Sequence, residues 1–188
     1  MLKMLFATAV IATALIGADA QAQEATKPTA NAAAIAKFDA MKGVWKGQAK
    51  GFGPGGVPFD VTQTERIGSM LGGDVLVIEG RGYKADGSLA FNAFGVLSWN
   101  PQTSAYEFRA YNGGFSGTFK WTLTDTGAVW EIPAGPDATV VSTITLKDNT
   151  WHEVQQYVAT GQPGRTVVDM TLTRTGDTDW PLAGYVKP

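Results

Sequence analysis

From Val44 to Thr175 the chain is cut by turn signals into short segments, and no break between them is long enough to return a strand in parallel. A parallel crossover needs about a dozen residues or more, so neighbouring segments can pair only antiparallel. Asp86-Gly87 is the strongest hairpin signal, because a type I′ turn requires positive φ at both central residues. Asn100-Pro101, Asn112-Gly113-Gly114, the segment from Asp125 to Gly127, the segment from Pro133 to Pro136, Asp148-Asn149 and the segment from Gly161 to Gly164 are breaks of the same kind. They delimit ten candidate strands: 44–50, 57–67, 74–84, 89–99, 104–112, 115–124, 128–132, 138–147, 150–159 and 166–175. Alternation is plainest in 115–124, where Phe115, Gly117, Phe119, Trp121 and Leu123 share one face and Ser116, Thr118, Lys120, Thr122 and Thr124 the other.

The fold class that follows is all-β: a single antiparallel up-and-down barrel of about ten strands with a short N-terminal helix. Closure removes the sheet edges that a run of hairpins would otherwise leave unpaired. A barrel of this size encloses room for one small ligand. The outer faces are rich in Thr and charge rather than apolar, which argues against a membrane barrel. Hydrophobic residues make up 44 % of the chain, enough for a core in one domain of 188 residues.

Before the barrel the sequence has a different character. Residues 1–22 read as a signal peptide, with Lys3 ahead of an apolar run from Leu5 to Ile16 and small-x-small cleavage sites ending at Ala20 and Ala22. Residues 23–31 read as a flexible linker. Asn31 is the expected helix cap, and Ile35, Phe38 and Met41, three apart, form one apolar stripe on a helix over Ala32–Met41. The barrel domain is thus 32–175, and 176–188 is a tail expected to pack back through Trp180 and Tyr185. The chain has no cysteine, which excludes a disulfide framework and thiol ligands. A net charge of −2 without a basic stripe excludes nucleic acid as the expected partner. The expected location is the periplasm, with secretion as second choice, and the mature chain is expected to have no transmembrane segment.

Gly43-Val44-Trp45 between a short helix and a first strand, followed by antiparallel strands and closed by Leu172-Thr173-Arg174, resembles the calycin superfamily of lipocalins and fatty-acid-binding proteins. Leu71-Gly72-Gly73 and the segment from Gly95 to Pro101 make it most similar to a bacterial exported family of unknown function with barrels of the fatty-acid-binding type. The resemblance implies that Trp45 packs under Arg174, a structural pair joining the first strand to the last. A guanidinium over an indole face contributes about 0.5–2 kcal/mol.

Two motifs fail on context. The run from Gly51 to Gly56 matches G-x-G-x-x-G, but a strand follows where a dinucleotide site needs a helix. Ser116 lies between Gly114 and Gly117 without the strand-to-helix elbow of a nucleophilic serine. The lone His152 and the absence of cysteine make a metal site unexpected, and no cofactor is expected. His152 reads as a surface histidine or a satisfied histidine of the barrel.

The candidate binding residues are polar side chains on aromatic strands. Glu79, Arg81 and Tyr83 share a face of the third strand, Arg109 and Tyr111 a face of the fifth, and Glu153, Gln155 and Tyr157 a face of the ninth. Trp99 and Trp121 complete the set. Alternation leaves open which face points inward on these three strands. With them inside, the barrel would bind a small apolar or amphipathic molecule whose carboxylate an arginine holds. With them outside, they are cross-strand ion pairs. The first reading is therefore a non-catalytic binding protein with no catalytic residue. The alternatives are a cofactor-free lyase or isomerase using Glu79 or Glu153 as acid and base, and a structural envelope protein with a filled barrel.

Overall fold

In the computed structural model, which describes residues 28–180, ten strands close into one antiparallel barrel in sequence order, with β1 paired to both β2 and β10. The strands are β1 (Gly43–Phe52), β2 (Pro58–Met70), β3 (Val75–Tyr83), β4 (Leu89–Asn100), β5 (Ala105–Asn112), β6 (Phe115–Thr124), β7 (Gly127–Pro133), β8 (Ala138–Lys147), β9 (Thr150–Ala159) and β10 (Arg165–Gly176). The up-and-down barrel and its strand order agree with the hairpin rhythm of the sequence. Residues 1–22, most of the linker and the end of the tail lie outside the described residues. Among the described residues no helix is long and apolar enough to cross a membrane.

The entry helix differs in detail. Helix α1 spans Ala30–Ile35 and is capped by Thr29, whose Oγ1 accepts from the Ala32 amide at 2.9 Å, rather than by Asn31. A 3₁₀ turn, Ala36–Met41, follows, and Phe38 leaves helical geometry at φ −103°. The kink serves packing: Ile35, Phe38 and Met41 are all buried, under the barrel floor. Phe38 meets Tyr106 edge-on at 4.9 Å between ring centroids, and the Tyr106 hydroxyl donates to the Ala34 carbonyl at 3.0 Å.

Trp45 sits on this floor. It lies opposite Glu65 on β2 and Arg174 on β10, and its Nε1 donates to the Met41 carbonyl at 2.8 Å. Trp151 packs against it edge-on at 5.7 Å. The guanidinium of Arg174 reaches the Lys42 carbonyl through Nε at 3.3 Å and Asp177 through NH2 at 2.5 Å. Arg174 thus pins the strand start to the strand end by one hydrogen bond to the chain entering β1. The described part of the tail folds back on the outer wall: Trp180 packs under Arg66 at 5.6 Å and beside Phe94.

Trp45 is almost fully buried and joins helix, first strand and last strand. Trp45→Ala is therefore expected to lower stability by about 3–5 kcal/mol, the usual range for a buried large aromatic. Urea unfolding checks this as a lower midpoint at unchanged slope.

Candidate functional site

Register fixes the inner face of every strand. On β2 the inward residues are Phe59, Val61, Gln63, Glu65 and Ile67. Glu65 pairs with Gly80 on β3, which pairs with Ala93 on β4. On β5 Tyr106, Phe108 and Ala110 point in, and on β6 Gly117, Phe119 and Trp121 do. On β9 Trp151, Glu153 and Gln155 point in, paired with Leu172, Met170 and Val168 of β10.

Above the floor these faces enclose a cavity of about 700 Å³, large enough for a small molecule. The alternative of a filled barrel does not match this interior. The aromatic load leaves room because the rings pack on one another along one wall. Trp121 and Trp130 stack at 6.0 Å with 14° between planes, and Phe108 meets both edge-on at 4.9 and 5.4 Å. A Cβ on Gly95 would lie 2.2 Å from the Phe108 ring, so only glycine there lets that ring lie flat on the wall. The cavity opens between the hairpin tips opposite α1, where Phe91, Tyr111 and Phe115 line it and are exposed to solvent.

The polar lining gathers towards the base. Glu153 accepts from Ser142 Oγ at 2.5 Å, Gln155 Nε2 at 3.1 Å and Trp151 Nε1 at 3.2 Å. Glu65 accepts from Gln63 Nε2 at 2.8 Å and lies over Gly80, where a Cβ would sit 2.7 Å from its Oε1. Burial raises the Glu65 carboxyl from its ordinary 4.5 to about 8, against the Gln63 hydrogen bond, with smaller contributions from the charges of Glu153 and Glu79. Among the described residues no Lys, Arg or His lines the cavity. The Trp121 ring also lines the cavity, and its Nε1 is a buried donor without a partner among the described residues.

The sequence-chosen residues separate into two groups. Trp121, Glu153 and Gln155 line the cavity, and Tyr111 borders its mouth. Glu79, Arg81, Tyr83 and Arg109 occupy the alternate register, on the outer wall. There Arg81 pairs with Glu79 at 2.5 Å, and Arg109 donates to Thr118 at 3.1 Å with its guanidinium 5.7 Å from the Tyr111 ring centre. Trp99 belongs to the floor, 4.7 Å from the Tyr106 ring centre. Tyr157 shares the register of Glu153 but falls beyond the cavity lining, opposite Arg165 and Val140. His152 lies on the outer wall, 3.0 Å from Asp169.

Sequence reasoning missed Gln63, Glu65, Ser142, Phe108 and Trp130. A signal was available for the first two: they share a parity with Phe59, Val61 and Ile67, which places two polar residues in an apolar face. No comparable signal marks Ser142.

No protein-family model and no curated protein matches the chain. Among solved structures, the crystal structure of Rv2717c from M. tuberculosis is similar, with a TM-score of 0.56 over 79 % of this chain and 99 % of that one. The two share 16 % of residues, so the likeness concerns the fold.

Between about pH 4.5 and 8 the unfolded chain has released the Glu65 proton and the folded chain keeps it. Folding stability therefore falls as pH rises through this window and levels off above it, by on the order of a few kcal/mol in total. Glu65→Gln should remove this loss. The melting temperature of the variant relative to wild type is expected to be higher at pH 9 than at pH 5, as thermal unfolding across that range would show.

Proposed function

We propose that this chain is an exported, non-catalytic barrel of the calycin type that holds a small, largely apolar molecule. The observation that carries this reading is the cavity: largely apolar walls, a polar cluster near the base and a mouth rimmed by the rings of Phe91, Tyr111 and Phe115, the layout of a site that orients an amphipathic ligand. The Trp45 and Arg174 positions at the β1–β10 seam support the superfamily assignment, and the likeness to Rv2717c supports the fold on which it depends. Export to the periplasm is supported by the character of residues 1–22. The alternative of cofactor-free acid–base chemistry draws on Glu65 rather than Glu79, whose carboxylate is paired on the outer wall.

Two measurements test the reading. The full chain should bind the uncharged probe N-phenyl-1-naphthylamine with a fluorescence increase, and Ala110→Trp, which places an indole in the cavity, should abolish it while leaving the barrel folded by circular dichroism. Unchanged binding in the filled variant would place the probe elsewhere and sink the binding reading. Expressed in a Gram-negative host, the chain should be recovered from the periplasm with an intact mass corresponding to cleavage after Ala20 or Ala22. Recovery of the uncleaved chain from the cytosol would overturn export.

A further inference from the structure

The interior is electrically one-sided. Among the described residues it holds two carboxyls, Glu65 and Glu153, and no basic side chain lines it. The arginines near it face outward: Arg81 to Glu79 and Arg66 to Asp179 and Trp180. Among the described residues the elements packed around Glu65 supply one basic group in the same row, Arg174 of β10, which lies across Trp45 and is turned to the Lys42 carbonyl and Asp177. β1 offers Trp45 and Gly47, β3 offers Gly80, and Glu79 adds a like charge from the outer side of β3. Glu153 is held by three neutral donors, so its oxygens have partners without a countercharge. Glu65 is more than nine-tenths buried and receives one donor, Gln63 on Oε1; its Oε2 has no hydrogen-bond partner among the described residues.

We propose that the ligand's head is a cation, a protonated amine on an apolar body, seated between Glu65 and Glu153. This deepens the binding-protein reading and rests on it. The three classes of head group fare differently here. An anionic head would meet the Glu153 carboxylate in a low-dielectric space without a positive group to hold it. A neutral head could hydrogen-bond to Glu65 but would bring no countercharge to the pair of carboxyls. An ammonium supplies the missing countercharge and donates to the open Oε2 of Glu65, in a cavity that Trp121, Trp130 and Trp151 also line. Its arrival favours the ionised form of Glu65, so binding near neutral pH releases a proton from that carboxyl to solvent.

The test uses the full chain with N-phenyl-1-naphthylamine in the cavity and three competitors of equal length: decylamine, decanol and decanoate, at pH 7. Decylamine is expected to displace the probe at a concentration at least about tenfold below decanol, the ratio that one charge-assisted hydrogen bond gives, and decanoate is expected to displace it worst. Calorimetry of decylamine binding in phosphate and in Tris should give heats that differ with the buffers' ionisation enthalpies, showing proton release. Glu65→Gln and Glu153→Gln should each weaken decylamine by about tenfold or more, and Glu65→Gln should abolish the proton release. A circular dichroism spectrum and urea midpoint typical of a folded barrel in both variants show that the fold is intact. Decanol or decanoate competing as well as the amine, no buffer dependence, or unchanged amine affinity in both variants would overturn the cationic head. Failure of the probe itself to bind would overturn the binding reading and the cationic head with it, whereas a bound probe that decylamine does not displace overturns the cationic head alone.

Discussion

The seam between β1 and β10 is the contact on which the remaining structure depends. A row of hairpins can end as an open sheet with two unpaired edges; here the first and last strands pair and neither edge is left. Side chains reinforce the seam at its floor end. Trp45 Nε1 ties β1 to the preceding 3₁₀ turn, Arg174 Nε ties β10 to the Lys42 carbonyl, and Thr175 Oγ1 donates to the Val44 carbonyl at 3.0 Å. Joining residues so far apart in sequence is entropically costly, and burial of Trp45, Trp151 and Leu172 at the same place offsets that cost.

Closure at the floor determines what the interior can be. The helix and its 3₁₀ extension plug one end with Ile35, Phe38 and Met41, and the rings of Tyr106, Trp99 and Trp45 fill the layer above them. The remaining aromatic rings are spent on one wall, where they cover one another. The volume opposite, beside Ala49 and Gly80, is left unfilled because these residues have little or no side chain to project. The cavity is thus a consequence of where the large residues were placed along each strand, not of a shortage of them.

The distribution of charge follows the same division. Opposite charges are paired on the outer wall, where water screens them and each pair contributes little. Inside, among the described residues, two carboxyls stand in apolar surroundings with hydrogen-bond donors and no basic side chain in the lining. Such an arrangement works against stability, and burial accordingly drives Glu65 towards its neutral form. Side chains that destabilise the fold in this way are where chemistry or recognition is to be sought.

The strands, their antiparallel order and the closed barrel were legible in the sequence, because turn residues and short connections leave few other arrangements. The pairing of Trp45 with Arg174 in register was also legible, although the expected stacking gave way to hydrogen bonds with the Lys42 carbonyl and Asp177. The binding face was only partly legible. On β9 the reading placed Glu153 and Gln155 beside Trp151, where the structure has them lining the cavity. On β3 the chosen set Glu79, Arg81 and Tyr83 lies outside, and the inward residues there are glycines and aliphatics that carry no chemical signal. On β5 the inward set is Tyr106, Phe108 and Ala110 rather than Arg109 and Tyr111. Alternation by itself determined which residues share a face. Which of the two faces is inside was decided only by tertiary structure, because both faces of these strands carry apolar groups and only the closed seam and the plugged floor give the sheet an interior.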